Sequence, residues 1–139
     1  MELIFDYYNY PIVPVKFKYG DRKTPVIEAL LDSGGDFIVI PKPIATYLGL
    51  KLEKSGDVDT AGGKTYLFKT YVDMVVGRKD KCSYYPNKEI YVSNRDDIPV
   101  LLGRNPIFED YEIIFRNYKK QLILKPINIT LRNSYPEGF

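Results

Sequence analysis

The stretch Ala29-Leu30-Leu31-Asp32-Ser33-Gly34-Gly35-Asp36 decides how the rest of the chain is read. A short apolar run, opened by Pro25 and interrupted only by Glu28, ends on a carboxylate, a hydroxyl and two glycines. Such a run suits a buried strand, and Asp, Ser and Gly are turn formers. A second run of the same kind, Pro99-Val100-Leu101-Leu102, ends on Gly103-Arg104-Asn105. Between the two, residues 57–64 are rich in turn residues around Gly62-Gly63, with alternating side chains on both flanks. That pattern predicts a β-hairpin with a glycine tip.

Outward from this centre the chain reads as strands. Thirteen Tyr and seven Phe, with frequent Val and Ile, favour extended structure. Residues 3–18 are apolar and aromatic with Pro11 and Pro14 inside, which predicts an edge strand or a strand pair. Pro41 and Pro43 before residues 44–48, and Gly49 after them, predict a short helix. Residues 70–76 and 88–93 are expected as strands, and the polar residues 77–87 as a loop containing an inert Cys82. Residues 105–110 are expected to form one helical turn, and 112–116 with 121–125 a closing hairpin. The tail from Asn128 is expected to add a strand or to be disordered. The sum is an all-β single domain over residues 1–139, core about 14–126, with one or two short helices.

Composition excludes several chemistries. The chain has 139 residues, one Cys and no His. Without imidazole, Ser-His-Asp and Cys-His catalysis and the His-containing zinc motifs are ruled out. Ser33 therefore has no base to activate it, and carboxylates become the first candidates for chemistry. A formal charge of +2 is too small to imply a nucleic-acid partner. No run of about 18 apolar residues and no basic-then-apolar leader is present, so no membrane association and a cytoplasmic location are expected.

Taken as a set, these segments resemble the retropepsin-like aspartic proteases, the family of the retroviral proteases. The resemblance rests on residues 29–36, on Ala61-Gly62-Gly63, and on Val100-Leu101-Leu102-Gly103-Arg104-Asn105, in that order. It covers most of the chain between Val26 and Leu124. It implies the acid protease fold, a closed β-barrel with a β-hairpin flap, and an aspartic endopeptidase acting on peptide or protein substrates without metal or cofactor. Asp32 would be the catalytic aspartate, with Ser33 in a hydroxyl network across a dimer axis and Gly34 leaving backbone beside the carboxylate. Asp36, Arg104, Ala61, Gly62 and Gly63 would contact substrate.

The chemistry needs two carboxylates close enough to share one proton. The chain carries one such motif, because Asp59-Thr60-Ala61-Gly62 follows charged and polar residues and reads as hairpin sequence. A homodimer is therefore expected, with one Asp32 from each copy. Gly35 departs from the Ala usual in retroviral members, and the N-terminal arm and the tail are longer. Three plainer readings stand beside these. Asp36–Arg104 is also a sensible structural ion pair, and Gly62-Gly63 a plain turn. The same fold also serves as a catalytically weak or inactive dimerisation or peptide-binding module.

Overall fold

The computed structural model describes residues 1–60 and 63–139, and side chains outside residues 56–65. The strands are β1 (Leu3–Asp6), β2 (Ile12–Tyr19), β3 (Arg22–Lys23), β4 (Ile27–Leu31), β5 (Val39–Pro41), β6 (Glu53–Thr60), β7 (Gly63–Arg78), β8 (Lys81–Ser93), β9 (Val100–Leu102), β10 (Tyr111–Arg116) and β11 (Gln121–Pro126). One α-helix, α1 (Lys42–Leu48), follows β5, and an irregular helical turn spans Arg104–Phe108.

Six strands close on themselves in the order β2–β4–β9–β5–β8–β7, and β7 pairs back onto β2. This is the all-β architecture expected from the strand-rich sequence, and the closed barrel that the resemblance implied. Its interior holds Val13, Val15, Phe17, Ile40, Met74 and Ile90, all without solvent exposure. The two apolar runs that opened the sequence reading lie side by side as β4 and β9. They are parallel and in the register Ala29–Val100, Leu30–Leu101 and Leu31–Leu102. Parallel strands need both faces covered, and Ala29, Leu31, Val100 and Leu102 are all buried. Strand β11 lies between β1 and β10 in a second, antiparallel sheet, whose Leu3, Phe5, Leu122 and Leu124 join the core. Among the described residues no helix is long and apolar enough to cross a membrane.

Three expectations change. Residues 77–87 are not a loop: β7 and β8 form one long hairpin turning at Lys79-Asp80. The polar look of the segment misleads because Cys82, Ser83 and Tyr85 are all buried, Cys82 beneath the tail, where its Sγ lies 3.5 Å from the Ser134 carbonyl. Pro86 sits in a bulge where the pairing jumps from Val72–Lys88 to Met74–Tyr85, so its missing N–H interrupts no regular ladder. The Asn87 N–H donates instead to Asp73 Oδ1 at 2.7 Å.

Strand β2 is not an edge. Residues 12–15 pair with β4 and residues 15–18 with β7, and Pro14 lies just outside the doubly paired stretch. The tail is neither strand nor disordered. It makes a single bridge, Cys82 with Arg132, and then covers the outer face of β2, β7 and β8. The Phe139 ring packs edge-on against Tyr84 at 5.8 Å, and Lys16 Nζ donates to the Phe139 carbonyl at 2.5 Å. Burial under the tail, with the nearby charge of Lys23, lowers the Lys16 amine below the ordinary lysine range.

The β7–β8 turn depends on Gly77, which has φ +114. A Cβ there would lie 2.5 Å from the Lys81 carbonyl oxygen and 2.9 Å from Cys82 Cα. Gly77→Ala is expected to destabilise the fold by about 2 kcal/mol or more. Urea unfolding followed by circular dichroism checks this through the midpoint at unchanged slope.

Candidate active site

The site begins where the parallel pair ends. Because β4 and β9 run in the same direction, Asp32 and Gly103 leave the barrel as neighbours. The Asp32 N–H donates to the Leu102 carbonyl at 2.9 Å, extending the ladder by one bond. The chain then turns tightly, with Gly35 N–H donating to the Asp32 carbonyl at 3.1 Å. Within that turn Gly34 N–H donates to Asp32 Oδ1 at 3.1 Å and aims the carboxylate. Asp32 is half-buried, while Ser33 and Gly34 are exposed.

Three consecutive amides on the far side hold the turn. Gly103 N–H donates to the Phe37 carbonyl (3.1 Å), Arg104 N–H to that of Gly35 (2.9 Å), and Asn105 N–H to that of Asp36 (2.9 Å). Such close approach leaves no room for a side chain at Gly103. A Cβ would meet Phe37 O, and would lie 2.6 Å from Phe37 N and 2.8 Å from Gly35 O, all backbone atoms. At Gly35 a Cβ would lie 2.9 Å from Asp32 Oδ2, so the glycine there leaves space for the carboxylate in this orientation.

Arg104 and Asp36 form the expected ion pair. Both side chains are more than half exposed (55% and 65%), so the pair orients more than it stabilises. Beside it an open groove of about 450 Å³ is lined by Asp36, Phe37, Arg104, Asn105, Phe108 and Glu109. Its polar and charged groups alternate with two aromatic rings, and Phe37 packs on Tyr91 at 4.8 Å.

Of the residues expected at the site, Asp32, Ser33, Gly34, Asp36 and Arg104 are gathered within this one loop pair. Gly63 opens β7 opposite Thr60 in the β6–β7 hairpin, while Ala61 and Gly62 lie outside the described residues. Other side chains carry the frame and were missed. Lys88 Nζ, on β8, donates to Asn105 Oδ1 at 2.9 Å. Tyr85 OH donates to Asp110 Oδ2 at 2.8 Å, and Tyr111 OH donates to Ser83 Oγ. Burial above all, with Tyr111 and Asp110 adding, holds the Tyr85 hydroxyl far above the ordinary tyrosine range. Burial pushes Tyr111 up to about 12. Both hydroxyls therefore stay protonated and act as fixed donors. No signal in one sequence distinguishes these tyrosines from the other eleven.

A family model described as aspartyl protease matches residues 13–105. A retropepsin-like aspartic protease from Rickettsia conorii has a similar structure at 21% identity and a TM-score of 0.65, covering 89% of this chain and 98% of that one. The retroviral protease-like domain of Ddi1 from Leishmania major is similar at 17% identity and a TM-score of 0.57, over 94% and 98%. EIAV protease complexed with the inhibitor HBY-793 is similar at 19% identity and a TM-score of 0.52, over 74% and 92%. At these identities the structural likeness shows a shared retropepsin-like fold. No curated protein matches the chain.

Gly103 is the tightest point of the loop pair. Gly103→Ala is expected to cost about 2–4 kcal/mol, since only backbone can move away. The Asp32 loop should loosen with it. Thermal unfolding with amide hydrogen exchange over residues 32–37 checks both effects.

Proposed function

The chain belongs to the aspartyl protease family, and we propose that it is a homodimeric aspartic endopeptidase built from one domain over residues 1–139. The observation that carries this reading is the Asp32 carboxylate at the mouth of the barrel, oriented by the Gly34 amide and half-open to solvent. A carboxylate placed so, with exposed Ser33 and Gly34 beside it, is suited to meet its equivalent from a second copy.

Two Asp32 carboxylates in contact cannot both remain ionised, so the pair holds one proton between them. A water molecule between them loses a proton to the ionised carboxylate as its oxygen attacks the scissile carbonyl carbon. The protonated carboxylate donates its proton to the carbonyl oxygen, giving a tetrahedral diol. Collapse of the diol returns a proton to the leaving nitrogen and breaks the C–N bond. No covalent acyl-enzyme forms. Gly34 and Ser33 act by holding the carboxylates, Ser33 through hydroxyls that meet across the axis. Asp36, kept in place by Arg104, accepts a substrate backbone N–H. Ala61, Gly62 and Gly63 contact an extended substrate, from which the β6–β7 hairpin excludes water.

The test is cleavage of a diverse peptide mixture, read by mass spectrometry from acid to neutral pH. Wild type is expected to cleave most strongly on the acid side, where one proton resides on the pair. Asp32→Asn is expected to lose activity by roughly 10³-fold or more, with its sedimentation unchanged. Cleavage surviving in Asp32→Asn would sink the mechanism. Peptide binding without cleavage by wild type would favour the catalytically silent peptide-binding module. Arg104→Ala should raise KM several-fold with a smaller effect on kcat, because it frees Asp36 and leaves Asp32 in place; equal KM would reject the substrate role of the pair.

A further inference from the structure

The groove beside the Asp36–Arg104 pair holds chemistry that the reaction at Asp32 leaves unused. Its charges are unevenly matched. The Asp36 carboxylate is taken by the Arg104 guanidinium. Glu109 lines the same groove and is exposed, and its carboxylate has no ion-pair partner among the described residues. Lys88 does not line the groove, and its ammonium is engaged by Asn105 Oδ1 at 2.9 Å. One uncompensated negative charge therefore borders an open space of about 450 Å³.

The walls are aromatic and braced. Phe37 is 40% exposed, yet its ring packs on Tyr91 at 4.8 Å. Tyr91 OH donates in turn to Glu89 Oε2 at 3.2 Å, and Tyr71 OH to Glu89 Oε1 at 3.2 Å. Glu89 thus accepts two tyrosines and holds Phe37 in place through one of them. Phe108, half-buried, supplies the second ring from the end of the turn that Arg104 opens. Two half-open rings beside a free carboxylate match a side chain with a long apolar stem and a cationic head. An acidic side chain would meet Glu109 as a like charge.

Resting on Asp36 as the acceptor of a substrate backbone N–H, we propose that this groove is a subsite for a lysine or arginine side chain of the substrate, with Glu109 as its specificity-determining residue. The stem lies against Phe37 and Phe108, and the ammonium or guanidinium reaches Glu109. Side chains of an extended substrate alternate in direction. The residue held at Asp36 or its immediate neighbour therefore points into the groove, and not both. Two-fold pairing of the chains brings one such groove from each copy to the shared centre. The substrate class is thus an extended segment with a basic residue on each side of the scissile bond.

The test uses the full chain and a peptide library in which each position carries Lys, Arg, norleucine or Glu. Wild type is expected to favour Lys or Arg over norleucine at one fixed position on each side of the cut. The margin should be about fivefold in kcat/KM and should shrink as salt is raised. Glu109→Gln should bring that ratio close to one, and Glu109→Lys should invert it in favour of Glu. These ratios do not depend on how much of a variant is folded. A ratio near one in wild type, or a Lys preference that survives in both Glu109 variants, would overturn the subsite. Binding of the same peptides to wild type and to Asp32→Asn, read by fluorescence anisotropy, separates this subsite from the protease reading. Preferential binding of the basic peptides without any cleavage by wild type leaves the subsite standing and removes the enzyme. Asp32-dependent cleavage with no basic preference does the opposite, and a chain that binds no peptide loses the subsite as well.

Discussion

The parallel pairing of β4 with β9 is the constraint on which the rest depends. Two apolar strands running in the same direction deliver their C-terminal ends together, so the chain must turn twice at one place. Asp32 leaves one end and Gly103 the other. The amides of Gly103, Arg104 and Asn105 then hold the carbonyls of residues 35–37, and Asp32 donates back to Leu102. Each bond satisfies a backbone group that the end of a strand would otherwise leave open. The carboxylate is thereby presented on a rigid frame although it sits in a loop, which is what a catalytic acid or base requires.

Barrel closure supplies the second condition. Parallel strands are stable only when covered on both faces, and coverage comes from β2, β7 and β8, which have long-range partners on both sides. The tail adds a further layer on the outer face, where Phe139 and Tyr84 pack together and Lys16 finds its acceptor. Buried polar groups of the frame are handled in the same way. Tyr85 reaches Asp110 and Tyr111 reaches Ser83, and no buried side-chain N or O atom among the described residues lacks a partner. These bonds join β8 to residues 110 and 111 just after the helical turn, and Lys88 joins it to Asn105 at the start, so the turn bearing Arg104 is held at both ends.

Much of this was legible in the residues. The apolar runs ending at Asp32 and at Gly103, the short helix between Pro41 and Gly49, and the closing hairpin of β10 and β11 all appear where local pattern puts them. The failures have physical causes. Residues 77–87 read as a loop because they are polar, yet Cys82, Ser83 and Tyr85 are buried and Pro86 and Asn87 lie in a bulge of a long hairpin. Pro14 suggested an edge, but a proline also survives where a strand has one partner only.

The sequence by itself determined the chemistry available: no imidazole, one Asp-Ser-Gly turn after a buried strand, and one Gly-Arg-Asn after another. Those are local facts, set by which residues stand next to which. Tertiary structure alone decided that the two turns touch, that Gly103 has no space for a methyl group, and that Lys88 and Tyr85 brace the frame from β8. Each of these depends on partners far away in the chain, brought together by barrel closure, and no local pattern of residues encodes which distant strand will lie alongside.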